Sequence, residues 1–352
     1  MQYQLPGGDS IVARSKGRTV GPERRTTQDQ ARIALCLGDT PEPFIRAPPS
    51  SRAALRFCNL LDSRCTVNRP GFHGRSIDRP GGTVVAQQLL MTVTFLGTKG
   101  GTGTTTMVVN LGAEIRRASD RTTVLVDLKP APGDVALFLG LRPRFTLTHV
   151  LDKLAWRDVG LLHGLLTPHS CGVDVMAAGE EWGRPAARDA EGVDATLSCL
   201  RATHEWVIVD AGSTLTPASA VAVQSSDLVV LVANPDVPCL RNLQRLLDAV
   251  RLSGVSTEQL RVLLNRASDH EGLSIAQIEG VLGLTLDWRI PSDYRTVSAA
   301  ITSGTPVRAV RTGEFLRHLE AVARAIGGET YDPPVSTSST MVAPSEDSGA
   351  SQ

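Results

Sequence analysis

The residues richest in chemical possibility are the eight of Lys99-Gly100-Gly101-Thr102-Gly103-Thr104-Thr105-Thr106. Glycines at 100, 101 and 103 let a backbone turn tightly and approach an anion closely, and a helix beginning just after them would present unpaired N–H groups and a positive dipole. That is phosphate-binding chemistry, provided a strand comes before the loop and a helix after it. Two apolar runs end in carboxylates. One is Val124-Leu125-Val126-Asp127-Leu128-Lys129 and the other is Trp206-Val207-Ile208-Val209-Asp210-Ala211-Gly212. Each run delivers an acid to the mouth of the sheet, the end at which such a loop would also lie. An acid at a strand end also serves ordinary turns, so the loop is what gives these two their functional reading.

Positioning these groups requires alternating strands and helices, and the pattern after Met91 supplies them. Short β-rich apolar runs are expected as strands at Thr92 to Leu96, Thr123 to Val126, Val173 to Ala177, Trp206 to Val209, Leu228 to Ala233, Arg261 to Leu264 and Thr285 to Ile290. Apolar residues at three- and four-residue spacing predict helices at Thr105 to Arg117, Leu240 to Leu252 and Ser274 to Leu282. The implied fold class is α/β, a doubly wound and mostly parallel sheet with helices on both faces. One domain over residues 91–328 accounts for it.

The flanks read differently. Residues 1–90 are rich in Arg, Pro, Gly and Ser and keep neither strand nor helix period; they are expected to be a disordered or untranslated extension, with a basic DNA-binding arm as a third option. Met91 stands just before the first strand, where a native start would fall. The net charge is zero, from 36 basic and 36 acidic residues, but the first 90 residues carry 13 of the basic and 7 of the acidic ones. Residues 329–352 read as a disordered polar tail. The six cysteines form no Cys-x-x-Cys pair, and His149, His163 and His169 show no metal-ligand spacing, so the cysteines read as reduced cytosolic thiols. No apolar run approaches the length of a membrane span, and the expected location is the cytoplasm.

The Lys-Gly-Gly-x-Gly run followed by threonines resembles the deviant Walker A motif of the MinD/ParA family of P-loop ATPases. The resemblance implies ATP and Mg²⁺ as cofactors and a homodimer in which Lys99 reaches the partner's phosphates. It implies Gly100, Gly101, Thr102, Gly103, Thr104, Thr105 and Thr106 as the phosphate cradle, Thr105 and Asp210 as the metal-binding pair, and Lys99, Asp127 and Asp210 as the catalytic set. Gly212 matches the glycine that senses the γ-phosphate. Asn234-Pro235-Asp236 with Arg241 also matches, as do Leu264-Asn265-Arg266 and Ile290-Pro291-Ser292-Asp293. In relatives the last two stretches enclose the adenine, which makes Asn265 and Pro291 cofactor-binding candidates; the Asn265 amide is suited to donate to and accept from a base edge. Two positions depart from the pattern. Thr104 stands where the usual P-loop lysine would be, and Lys129 stands where the second acid, which orients the attacking water, would be. Both departures predict a weak ATPase. Lys129 is either solvated or a partial replacement for the missing loop charge.

Within the family, the run from Asp127-Leu128 through Gly133 to Leu141 and then Thr146 to Leu151 resembles the CpaE/TadZ branch, as does the absent loop lysine. That branch implies a dimerising positioning switch working with the machinery of Flp/Tad-type pili at polar or membrane-associated sites. The alternatives are a nucleotide-binding scaffold without turnover and a ParA- or MinD-like partitioning or septum-site protein. Residues 91–352 carry 23 basic against 29 acidic residues, which disfavours nucleic acid. Arg241, Arg245 and Arg251 read as a solvated helix face. Phe315, Leu316, Leu319, Val322, Ala323 and Ile326 make an apolar helix face expected to pack on the domain, leaving membrane contact at most peripheral.

Overall fold

A computed structural model describes residues 90–130, 132–153, 155–179, 190–267, 273–330 and 332. The expectations for residues 1–89 and for nearly all of the C-terminal tail lie outside these residues.

Eight strands form one sheet. They are β1 (Met91–Gly97), β2 (Thr123–Asp127), β3 (Thr167–Pro168), β4 (Asp174–Met176), β5 (Trp206–Asp210), β6 (Leu228–Ala233), β7 (Leu260–Ala267) and β8 (Trp288–Pro291), in the spatial order β3-β4-β2-β5-β1-β6-β7-β8. Every neighbouring pair is parallel except β3 with β4. The longer helices are α1 (Thr104–Ser119), α5 (Ala190–Arg201), α6 (Pro217–Ser225), α7 (Val237–Leu252), α8 (Ile275–Leu282), α9 (Tyr294–Ser303) and α11 (Glu314–Ile326). Short helices α2 (Val135–Phe138), α3 (Leu147–Asp152), α4 (Val159–His163) and α10 (Val307–Val310) fill the connections.

Successive strand residues point to opposite faces, and each face has its own helices. Val93, Phe95 and Ile208 pack with Met107 and Leu111 of α1 and with Phe315, Leu319 and Val322 of α11. On the other face Val207 and Val209 meet Leu197 and Leu200 of α5 and Ala222 of α6. Leu231 meets Leu240, Leu243 and Leu247 of α7. The expected doubly wound architecture is what forms. The apolar face of α11 is spent inside this core, with Phe315, Leu316, Leu319, Val322, Ala323 and Ile326 all buried. Among the described residues no helix is long and apolar enough to cross a membrane.

Strand ends differ from expectation for identifiable reasons. β8 begins at Trp288 rather than Thr285, because the Leu286 N–H donates to Glu279 Oε1 and the Asp287 carboxylate accepts from the Val262 N–H, 2.9 and 2.8 Å. The Leu286 and Val262 N–H groups are thereby taken by side chains instead of a backbone ladder. The two-residue β3, antiparallel to β4, has no periodic signal in the sequence at all.

A charged brace ties the helix behind the phosphate loop to the C-terminal helices. Glu114 of α1 is buried, and both its oxygens accept from Arg308 of α10 at 2.6 Å, while Arg117 adds a third bond at 3.0 Å. Arg308 also bonds Glu320 of α11, and Glu114 first of all holds its guanidinium above the usual range. Breaking a buried pair strands its partner charge, so Arg308→Met is expected to cost about 2–4 kcal/mol in urea unfolding, below a full loss because Arg117 remains. Unchanged stability would show that Arg117 alone satisfies Glu114.

Candidate functional site

β1 runs through the middle of the sheet, and its last residue, Gly97, opens the loop that ends at the first turn of α1. This is where an open parallel sheet places its ligands, outside the carboxyl ends of the strands. Gly103 caps α1 with φ 91°, and a Cβ there would lie 2.4 Å from the Asn265 amide nitrogen, so only glycine fits. At Gly97 a Cβ would meet the Thr104 and Thr102 hydroxyls at 2.4 and 2.6 Å. The loop is thus packed tightly from beneath and open above.

The cleft above it holds about 420 Å³, within the range of small-ligand sites. Residues 99–106 form its floor, Lys129, Asp134 and Gly212 one side, and Arg266 with Tyr294 and Thr302 the other. An adjoining smaller recess is bounded by Asn265, Pro291, Asp293 and Phe315. The structure therefore brings all the residues of the phosphate loop to one cleft and puts Asn265 and Pro291 beside it.

The two acids meet because of strand register. Asp127 and Asp210 are direct partners on the parallel pair β2 and β5, and Asp210 is also the partner of Phe95 on β1. Both carboxylates are buried. Asp210 Oδ2 accepts from the Thr105 hydroxyl at 2.6 Å, and Oδ1 accepts from the Gly212 N–H at 2.9 Å. Asp127 accepts from the N–H groups of Lys129 and Val135 at 3.0 and 3.1 Å. Burial, and next the charge of Asp210, push Asp127 up to about 7. Burial likewise raises Asp210, against the pull of the Thr105 hydroxyl, the Gly212 N–H and Lys129. Two buried carboxylates next to a threonine hydroxyl form a hard oxygen donor set, which suits a divalent cation such as Mg²⁺. Thr105 and Asp210 are the pair that would hold it, with Asp127 behind them.

Lys99 does not extend into the cleft alone. Its ammonium lies 3.2 Å from both oxygens of Asp236, the N-cap of α7. That contact raises the Lys99 pKa. Burial opposes ionisation of Asp236, yet Cys239 and Lys99 together keep its pKa below the usual value. Asn265 is committed as well: its amide donates to Thr102 O at 2.8 Å and its carbonyl accepts from the Arg266 N–H at 2.9 Å. Its observed work is to brace the phosphate loop. Arg266 follows it with φ 57°, at an irregularity where β7 and β8 shift register, and this aims an exposed arginine at the cleft. Tyr294 and Thr302 of α9 carry no motif and were not legible as wall residues. Arg241, Arg245 and Arg251 lie exposed along α7, as expected.

On the far side of the sheet, a grouping invisible in sequence joins His163, Asp174 and His204, whose donor atoms lie within 4.8 Å of one another. His204 is buried; its Nε2 is 3.2 Å from Asp174 Oδ2 and its Nδ1 is 2.8 Å from the Thr203 hydroxyl. Spacing along the chain gave His163 no partner, and folding provides two.

The family model described as cellulose biosynthesis protein BcsQ matches residues 90–252. The septum site-determining protein MinD of Thermotoga maritima is 24% identical over 243 residues, covering 66% of this chain and 86% of that protein. Among solved structures, a ParA family ATPase from Chlorobium tepidum superposes with a TM-score of 0.63 at 21% identity, over 67% of this chain and 99% of the other. MinD of Pyrococcus horikoshii, solved with Mg-ADP, gives 0.58 at 20% identity, over 67% and 95%. The fold of this chain is that of the ParA and MinD structures, with its glycine-rich loop at the carboxyl end of β1.

Proposed function

We propose that this chain binds ATP with Mg²⁺ in the cleft and acts as a dimerising spatial switch with slow hydrolysis. The observation that carries this reading is the buried Asp127–Asp210 pair, in which Asp210 accepts from the hydroxyl of Thr105 in the phosphate loop. Two acids held in a position where burial disfavours their charge are poised for a cation, and the loop beside them for the phosphates that accompany it. The solved Pyrococcus relative carries Mg-ADP, which supports the same pairing here. The chain's own parts then divide the work. Backbone N–H groups of the loop and the start of α1 cradle phosphate, Thr105 and Asp210 orient the cation shell, and Asn265 holds the loop in shape. Bound Mg²⁺ would supply charge neutralisation at the terminal phosphates.

Lys99 is the switch residue of this proposal. It is paired with Asp236 in the isolated chain and would exchange that partner for the phosphates of a second copy. The expected result is that wild-type protein shifts from monomer to dimer with ATP and Mg²⁺ in light scattering, whereas Lys99→Ala stays monomeric with an unchanged thermal transition. Equal dimer populations in the two proteins would overturn the assignment.

The switch works in the cytoplasm, recruited to a polar or membrane-associated complex through protein partners. The CpaE/TadZ-like stretch from Gly133 to Leu151 supports a pilus-assembly apparatus as that complex. The match of residues 90–252 to the cellulose biosynthesis family favours a second address, an exopolysaccharide-synthesis apparatus. Pull-down from native cells, with Lys99→Ala as the control, separates the two.

A further inference from the structure

The chain has four lysines against 32 arginines, and among the described three, Lys99, Lys129 and Lys153, the first two line the cleft. Lys99 is tied to Asp236 at one end of it. Thr104, in the middle of the loop, contributes no charge: it is buried, and its hydroxyl faces Thr102 at 3.2 Å. Lys129 stands at the other side. Its backbone N–H is anchored on Asp127, and its stem packs over Gly212, where the nearest carbon lies 3.4 Å from the position of a Cβ. Its ammonium pairs with Asp134, which also borders the cleft. A lysine merely exposed to solvent has no reason to lie along the glycine next to the metal-site acid.

Charge balance gives the arrangement a purpose. Asp127, Asp210 and Asp134 all lie at this corner, and a polyphosphate brought there meets repulsion unless a cation on the protein faces it. An ammonium on a flexible stem can change partners by rotation alone. We propose that Lys129 supplies, from the same chain, the phosphate-binding cation that the loop lacks at Thr104, leaving Asp134 for the terminal phosphates when nucleotide binds. The inference rests on the reading of the cleft as an ATP site. The two departures from the family pattern then form a single relocation of charge, from the loop to the end of β2, and Asp134 is the latch that holds the lysine until a phosphate competes for it.

The test is equilibrium titration of a fluorescent ATP analogue, with Mg²⁺, into the full chain. Lys129→Met is expected to weaken binding at least about tenfold, the worth of one charge-assisted contact. Binding of the corresponding AMP analogue should change less than about threefold. Thr104→Lys added to Lys129→Met should restore the affinity, because the charge returns to the same phosphates from the loop. Asp134→Asn, which removes the latch without touching the lysine, should tighten binding and keeps the test open if the Met variant unfolds. Wild-type binding with an unaltered Lys129→Met affinity would overturn the relocation alone, as would a double variant that recovers nothing. Absence of wild-type binding would instead overturn the nucleotide-site reading beneath it.

Discussion

In single-turnover phosphate release, the wild-type protein is expected to be slow, and the double variant Thr104→Lys/Lys129→Asp faster by about 10³-fold or more. The expectation follows from what the two positions lack. A cation on the transferring phosphoryl is worth roughly 10³ to 10⁵ in rate in related chemistry, and a positioned acid or base for the attacking water roughly 10² to 10⁴. Lys129 restores charge for binding but has no acceptor with which to orient water, so relocation of the cation rescues affinity and leaves turnover low. Thr104→Lys alone should therefore tighten ATP binding with little gain in rate. Lys129→Asp alone should bind more weakly, since it removes a cation and adds an anion next to Asp134. Only the pair places cation and acceptor together, and because both act on one transition state their effects will not multiply simply. A fast wild-type enzyme would show that another residue already orients the water.

The second large effect is on the pH dependence of the fold without nucleotide. Asp127 is held at about 7 in the folded chain, against a carboxylate's ordinary value near 3.8. A folded value above the unfolded one means that the folded state binds more protons between the two. Its contribution is then fully present below about pH 4 and is lost as the pH rises through about 7. At about 1.4 kcal/mol per unit, the loss by pH 8 is on the order of 2–4 kcal/mol. Urea unfolding of wild type and Asp127→Asn at pH 5 and pH 8 reports the titration of the coupled Asp127–Asp210 pair, since the carboxylates away from it are untouched by the substitution. The Asn variant should gain on wild type as pH rises, and saturating Mg²⁺ should bring wild type back at pH 8. Parallel stability curves for the two proteins would rule out a raised Asp127.

Legible in the sequence alone were the glycine-rich loop, the two strands that end in acids and the alternation that makes a doubly wound sheet. These are local signals: a glycine spacing set by tight turns, and periods of 2 and 3.6 residues, are written in windows of fewer than twenty residues. The absence of a charge at Thr104 and its reversal at Lys129 were equally plain. What those changes do was decided elsewhere. The pairing of Asp127 with Asp210 depends on the register of β2 with β5, which lie 83 positions apart in the chain. The bonding of Asn265 to Thr102 O spans 163 positions and ties this candidate base-reading amide to the loop. Lys129 as a cleft residue, the buried Glu114 held by Arg308, and His163 beside His204 depend likewise on which helix and strand ends the folded chain brings together. Local pattern fixes which elements form, because backbone geometry and side-chain period act between near neighbours. Which side chains then meet is set by sheet order, register and packing, and these are properties of the whole core, so the site's donor set and its charge balance existed only once the chain was folded.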